Sequence, residues 1–154
     1  MNQLVENNIE NLIYEIRGKQ VMLDSDLAKL YECKNGTKNI NKAVNRNIER
    51  FPNDFYFQLT KKEYEYLIFQ IGTSSGKHGG VRKLPYVFTE EGVAMLSSVL
   101  RTSIASIISI KIMRCFVNLR KYVNNYENRI SNIETKIIDY DNKFDRLFEA
   151  LDRK

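Results

Sequence analysis

The feature that most constrains this chain is a 4-3 apolar spacing that runs without a break from Ile112 to Leu151. A repeat sustained over several heptads draws one narrow stripe along an α-helix and predicts a coiled coil. With Phe116 at position a, the residues Val123, Ile130, Ile137, Phe144 and Leu151 also take a. Ile112, Leu119, Tyr126, Ile133, Tyr140 and Leu147 take d. Beyond about Tyr126 the stripe stays narrow and the remaining surface is polar, so another helix is the expected cover. From Ile104 to about Val123 the same helix can instead fold back on its own head, because Ile107, Ile108 and Ile110 broaden the apolar surface.

Charges beside the stripe set its orientation. Arg129 and Lys136 fall at g, and Glu134 and Asp141 at e. A parallel pair brings g against the following e, which matches Arg129 with Glu134 and Lys136 with Asp141. An antiparallel pair sets like charges together. Each exposed pair contributes only about 0.2–1 kcal/mol, but both have the same sign. Parallel self-association is therefore expected through Val123, Tyr126, Ile130, Ile133, Ile137, Tyr140, Phe144, Leu147 and Leu151. The aromatic core positions leave dimer and trimer both open.

The remainder of the 154 residues has room for one ordinary domain, and 43% hydrophobic content suffices for its core. A net charge of +5 favours a polyanionic partner, nucleic acid or an anionic membrane surface. No run of about 18 uncharged apolar residues occurs, so no membrane span is expected. The most apolar run, Ile104 to Ile110, is short and is followed by Lys111 and Arg114. Residues Met1 to Asn11 do not read as a signal peptide, and the expected location is the cytoplasm. Cys33 and Cys115 lack metal-type spacing and His78 is the single histidine, so neither a metal site nor a cofactor is expected. No nucleophile–base pair or phosphate-binding P-loop motif appears, and the chain does not read as an enzyme. Glu63, Glu65, Glu90 and Glu91 are explained as caps and solvated helix faces.

The elements expected ahead of the long helix are short. Leu12 to Ile16 and Gln20 to Leu23 form a hairpin around Arg17-Gly18-Lys19. Asp24 caps a helix that buries Leu27, Ala28, Leu30 and Tyr31. Asn35-Gly36 turns the chain, and Thr37 caps a second helix that ends before Phe51-Pro52. Phe55 to Leu59 is a strand, Thr60-x-x-Glu63 a capping box, and Tyr86 to Phe88 a strand. Thr89 starts a helix that runs to about Arg101, and Thr102 or Ser103 caps the last one. The fold class is α+β: a small head containing a helix-turn-helix and short strands, then a long C-terminal helix forming a coiled coil.

Helix, tight turn, helix is the layout of a DNA reader whose second helix enters the major groove. At about 100° per residue, Ile40, Val44 and Ile48, with Ala43 beside them, form an expected buried stripe. Lys38, Lys42, Arg46 and Arg50 recur every four residues and begin about 200° away, on the opposite face. Asn39, Asn41, Asn45 and Asn47 fill much of the rest. Asn is a poor helix former, so four on one short helix point to recognition rather than solvation. Asn bonds bidentately to adenine and Arg to guanine, while Lys neutralises phosphates. The loop from Gly76 to Lys83 adds Lys77, Arg82 and Lys83 without an acid, and its glycines let backbone approach a phosphate.

Several blocks in order look familiar. The run Val21 to Tyr31 resembles the opening signature of the phage ORF6N domain, a relative of the KilA-N DNA-binding domains. Val44 to Phe55, Phe57 to Thr60 and Leu84 to Leu100 continue the resemblance, and Ile112-Met113-Arg114 followed by Phe116-Val117 resembles its end. The resemblance covers about residues 12 to 121. It implies a DNA-binding head, in which Asn45, Arg46, Asn47 and Arg50 match the motif as candidates for DNA contact.

The expected organisation is an N-terminal tail over 1–11, a DNA-binding domain over 12–123 and a coiled coil over 124–154. The leading functional expectation is a sequence-specific binder of double-stranded DNA, a phage- or prophage-type transcription regulator acting as a dimer. The alternative is a coiled-coil protein–protein interaction module, an antirepressor-like adaptor with weak or no DNA binding.

Overall fold

The computed structural model describes residues 8–72 and 83–153. It is an α+β fold with one four-stranded antiparallel sheet and a long C-terminal helix. Two compact units follow along the chain, Met1–Phe116 and Val117–Lys154.

The first unit opens with β1 (Ile13–Ile16) and β2 (Lys19–Leu23). Arg17 and Gly18 join them with φ of 55° and 71°. Two consecutive left-handed residues form the primed turn whose twist matches the strands, so Lys19 belongs to β2 and not to the turn. The Arg17 side chain offsets part of its backbone strain. Its Nε and Nη2 donate to the Glu63 carboxylate at 2.8 Å each, and its guanidinium lies 4.3 Å from the Phe57 ring centre.

α1 (Asp24–Leu30) follows directly, with Leu23 at the N-cap position and no side-chain capping bond. Asp24 is the first helical residue and not the cap expected from sequence. Its Oδ1 accepts from Ser25 N at 2.8 Å and its Oδ2 from Tyr86 N at 3.2 Å, tying α1 to the sheet. α1 ends with Glu32 at φ 54° while Cys33 N donates to the Ala28 carbonyl at 2.9 Å, a Schellman closure built without glycine. Leu27, Ala28 and Tyr31 are buried and Leu30 is half-buried.

α2 (Thr37–Arg46) is followed by a single 3-10 turn, Ile48–Arg50. β3 (Tyr56–Gln58), α3 (Lys61–Ile71), β4 (Tyr86–Thr89), α4 (Glu90–Leu100) and α5 (Ser103–Asp152) complete the chain. The expected capping box is present: Thr60 Oγ1 accepts from Glu63 N at 3.2 Å and Glu63 Oε1 from Thr60 N at 2.9 Å. Thr89 caps α4 through Gly92 N, and Thr102 caps α5 through Ala105 N.

The strand order is β1-β2-β4-β3, with Met22 opposite Phe88 and Phe88 opposite Tyr56. Strand alternation splits the buried side chains between two faces. Met22 and Phe88 join the main core with Leu27, Ile40, Val44, Leu96 and Ile112. Val21, Phe57 and Val87 form a smaller core with Leu59 and Leu67. The early part of α5 belongs to the main core through Ala105, Ser109, Ile112, Cys115 and Phe116. Tyr31 Oη and Ser109 Oγ share a buried hydrogen bond of 2.8 Å. Ile107 and Ile110, expected to broaden that packing surface, are instead exposed on the reverse side of the helix.

In the second unit, every described residue from Arg120 to Arg153 is exposed along one unbroken helix.

Candidate nucleic-acid interface

α2 begins after Gly36, whose φ of 59° reverses the chain, and Thr37 is its first residue, not its cap. Ile40 and Val44 are fully buried, and Ala43 is half-buried. One turn of spacing separates the two buried residues, which fixes the helix roll. Lys38, Lys42, Asn45 and Arg46 consequently point to solvent and are all exposed. The structure thus brings these four onto one outward face. Asn39 and Asn41 flank that face and are half-buried.

The end of α2 departs from expectation. The four-residue spacing of apolar and basic residues continues to Arg50, but the helix stops at Arg46. Asn47 is the C-cap, and its Nδ2 donates to the Ala43 carbonyl at 2.9 Å. Its short amide thereby competes with the next backbone bond and closes the helix. Ile48, expected in the buried stripe, is 53% exposed because the 3-10 turn rotates it away. Arg50 lies on that turn, exposed, and not on the helical row of Lys38, Lys42 and Arg46.

Two clefts flank α2. Asn41 lines one of about 360 Å³, together with Asp24, Thr37, Tyr64, Lys83 and Tyr86. Lys83 from the basic loop and Asn41 from α2 are thus brought to a common cleft. Lys83 Nζ lies 5.7 Å from the Tyr86 ring centre, and Tyr86 stacks on Tyr56 at 4.7 Å. Burial raises the Asp24 carboxyl above the usual carboxylate range, opposed by its backbone N–H donors and by Lys83. Lys77 and Arg82 lie outside the described residues.

Asn39, Lys42, Arg46 and Asn47 line the second cleft, of about 410 Å³. Lys34 lines it too. Its sequence signal is faint, a lone cation beside an Asn-Gly turn, and no periodicity marks it.

Among the described residues no group of three or more His, Cys, Asp or Glu could hold a metal ion, and no helix is long and apolar enough to cross a membrane. Cys33 is half-buried and Cys115 buried, and among the described residues neither is in a disulfide.

A helix–turn–helix seated on a small antiparallel sheet, with an Asn- and Lys/Arg-bearing second helix turned outward, defines the class of this head. The profile of the ORF6N domain matches residues 11–99, more than half of the chain. The protein belongs to the ORF6N domain family. The block from Ile112 to Val117 lies beyond the matched span. No curated protein and no solved structure matches the chain.

Proposed function

We propose that this protein is a sequence-specific binder of double-stranded DNA, a phage- or prophage-type transcription regulator that acts as a parallel self-associated assembly. The observation that carries this reading is the outward face of α2, where exposed Lys38, Lys42, Asn45 and Arg46 stand over buried Ile40 and Val44. A rigid helix with donors aimed outward suits a major groove, where Asn and Arg read base edges and Lys neutralises phosphates. Asn39, Asn41, Asn47 and Arg50 flank that face, and Lys83 with Lys77 and Arg82 supplies further positive charge.

The functional division we propose keeps the DNA-reading head within 12–123 and the pairing segment within 124–154. Support for pairing comes from exposed a and d residues and from the g and e charges. Among the described residues, Arg129, Glu134, Lys136 and Asp141 have no ion-pair partner in their own chain. Pairing two heads multiplies weak contacts through effective concentration.

Binding of the full chain to duplexes selected from a random library tests the proposal. Wild type is expected to enrich a common sequence with salt-sensitive affinity. Arg46→Ala combined with Arg50→Ala should abolish specific binding while the circular dichroism melt stays unchanged. Unaltered affinity in that variant refutes the recognition-helix assignment.

A further inference from the structure

The 410 Å³ cleft beside α2 shares Lys42 and Arg46 with the outward face and adds Lys34, which that face does not include. It lies between the α1–α2 turn and the corner where α4 passes into α5. Lys34 comes from the turn, Lys42 and Arg46 from successive turns of α2, and Glu32 is the single carboxylate among the described residues of the lining. Three cations and one anion give the lining a charge of +2. Among the described residues, no carboxylate lies within ion-pair distance of Lys34, Lys42 or Arg46, although Glu32 shares the cleft. Converging like charges repel, and a cleft that holds three of them unpaired favours an anion.

The rest of the lining suits a phosphate ester better than a bare ion. Val99 and Leu100 give the wall apolar surface, which lowers the local dielectric and strengthens each charge. Thr102 also lines the cleft; its Oγ1 accepts from Ala105 N, so its hydroxyl hydrogen can still be donated. Thr102 also marks the positive end of α5, the longest helix of the chain. The volume falls in the roughly 300–1,000 Å³ range of small-molecule sites, with space for a sugar beside a phosphate.

We propose that this cleft is a phosphate-ester site in which Lys34, Lys42 and Arg46 hold the phosphate oxygens and Thr102 donates a hydrogen bond. The ester is a backbone phosphate of bound DNA or the phosphate of a free nucleotide; the first source rests on the DNA-binding reading, and the second does not.

The full-length protein is tested in two arms, with Lys34→Ala as the variant and Lys62→Ala, exposed on α3, as the control for bulk charge. In the first arm, duplex affinity is measured against salt. Loss of one phosphate contact lowers the log–log slope by about 0.9 and weakens all sequences alike. In the second arm, inorganic phosphate and adenosine monophosphate are titrated against amide resonances. A slope reduced in Lys34→Ala and not in Lys62→Ala supports the site with DNA as the source. An unchanged slope, with saturable shifts at Lys34, Lys42 and Arg46 that vanish in Lys34→Ala, supports it with a free nucleotide as the source. Absence of both effects, or equal slope changes in the two variants without saturable shifts, overturns it. If wild type binds no duplex at all, the DNA-binding reading fails while the titration still decides the cleft.

Discussion

One helix carries two opposite outcomes of the same spacing. In the first unit, the heptad positions Ala105, Ser109, Ile112 and Phe116 of α5 are buried in the core. In the second, Leu119 is half-buried, and the a and d positions from Val123 onward are open to solvent, from 46% for Val123 to 60% for Tyr126. The spacing therefore specifies a face and not what covers it. The residue types separate the cases. Ala105 is small and Ser109 is polar, and Ser109 is satisfied by the Tyr31 hydroxyl of its own chain. Ile130, Ile133 and Ile137 bring branched apolar bulk with no partner group in their own unit, a seam that gains about 25 cal/mol per Å² when another helix covers it.

The largest effect expected from this contrast is on assembly. Ile130→Asp with Ile137→Asp places charge at two a positions and should convert the self-associated full chain to monomer in sedimentation velocity, with the head's thermal transition retained. A wild type that sediments as monomer breaks the comparison outright, because the exposed stripe then needs no partner copy.

A second pair of substitutions asks whether the two stretches are energetically separate. Ile112 and Ile133 are both d residues of α5. Ile112→Ala leaves a cavity in the main core and should cost about 2–5 kcal/mol of head stability. Ile133→Ala should leave head unfolding in denaturant unchanged at low protein concentration and weaken only self-association. Equal losses in the two variants show one cooperative unit where two are inferred.

Legibility from sequence followed the range of the interactions involved. The capping box at Thr60 and Glu63, the caps at Thr89 and Thr102, and the heptads are local, and each was readable from a few neighbouring residues. The sheet order was not, because β2 pairs with β4 across more than sixty intervening residues and no local pattern encodes it. The burial of Ile9, fully enclosed by the main core, also depends on distant partners. At α2 the apolar period outlasted the helix: Ile48 continues the pattern, but the Asn47 side chain ends the hydrogen-bond ladder one residue earlier. The outward set Lys38, Lys42, Asn45 and Arg46 was legible because Ile40 and Val44 fix the roll of the helix. The cleft containing Lys34 was not, since it is formed by the approach of α4 and α5 to the α1–α2 turn.

The smallest expected effects concern acids of the head, where pH separates two carboxylates with opposite signs. Burial raises the Asp26 carboxyl, Lys29 opposes this and Asp24 adds to it, and among the described residues Asp26 Oδ2 is buried without a hydrogen-bond partner. A raised carboxyl favours folding below its unfolded pKa, about 3.9, and that contribution is lost as pH rises through the folded value. Asp26→Asn should therefore stabilise the head at pH 7 by about 1 kcal/mol, a figure held low because the residue is only half-buried and solvent screens it. The gain should vanish in acid. Glu63 behaves in reverse. The Arg17 guanidinium holds its carboxyl well down, to about 2, against burial and with help from Thr60. Its contribution is present above the ordinary value of 4.5 and disappears as pH falls through about 2. Glu63→Gln should cost about 0.5 kcal/mol at pH 7, because the pair is partly exposed. Urea unfolding of both variants at pH 7, 4 and 2 should show the Asp26→Asn advantage fading first and the Glu63→Gln deficit fading last. An Asp26→Asn head less stable than wild type at pH 7 means that the carboxylate is held by compensating charge, and that the head's interior tolerates ions that its buried apolar contacts alone would exclude.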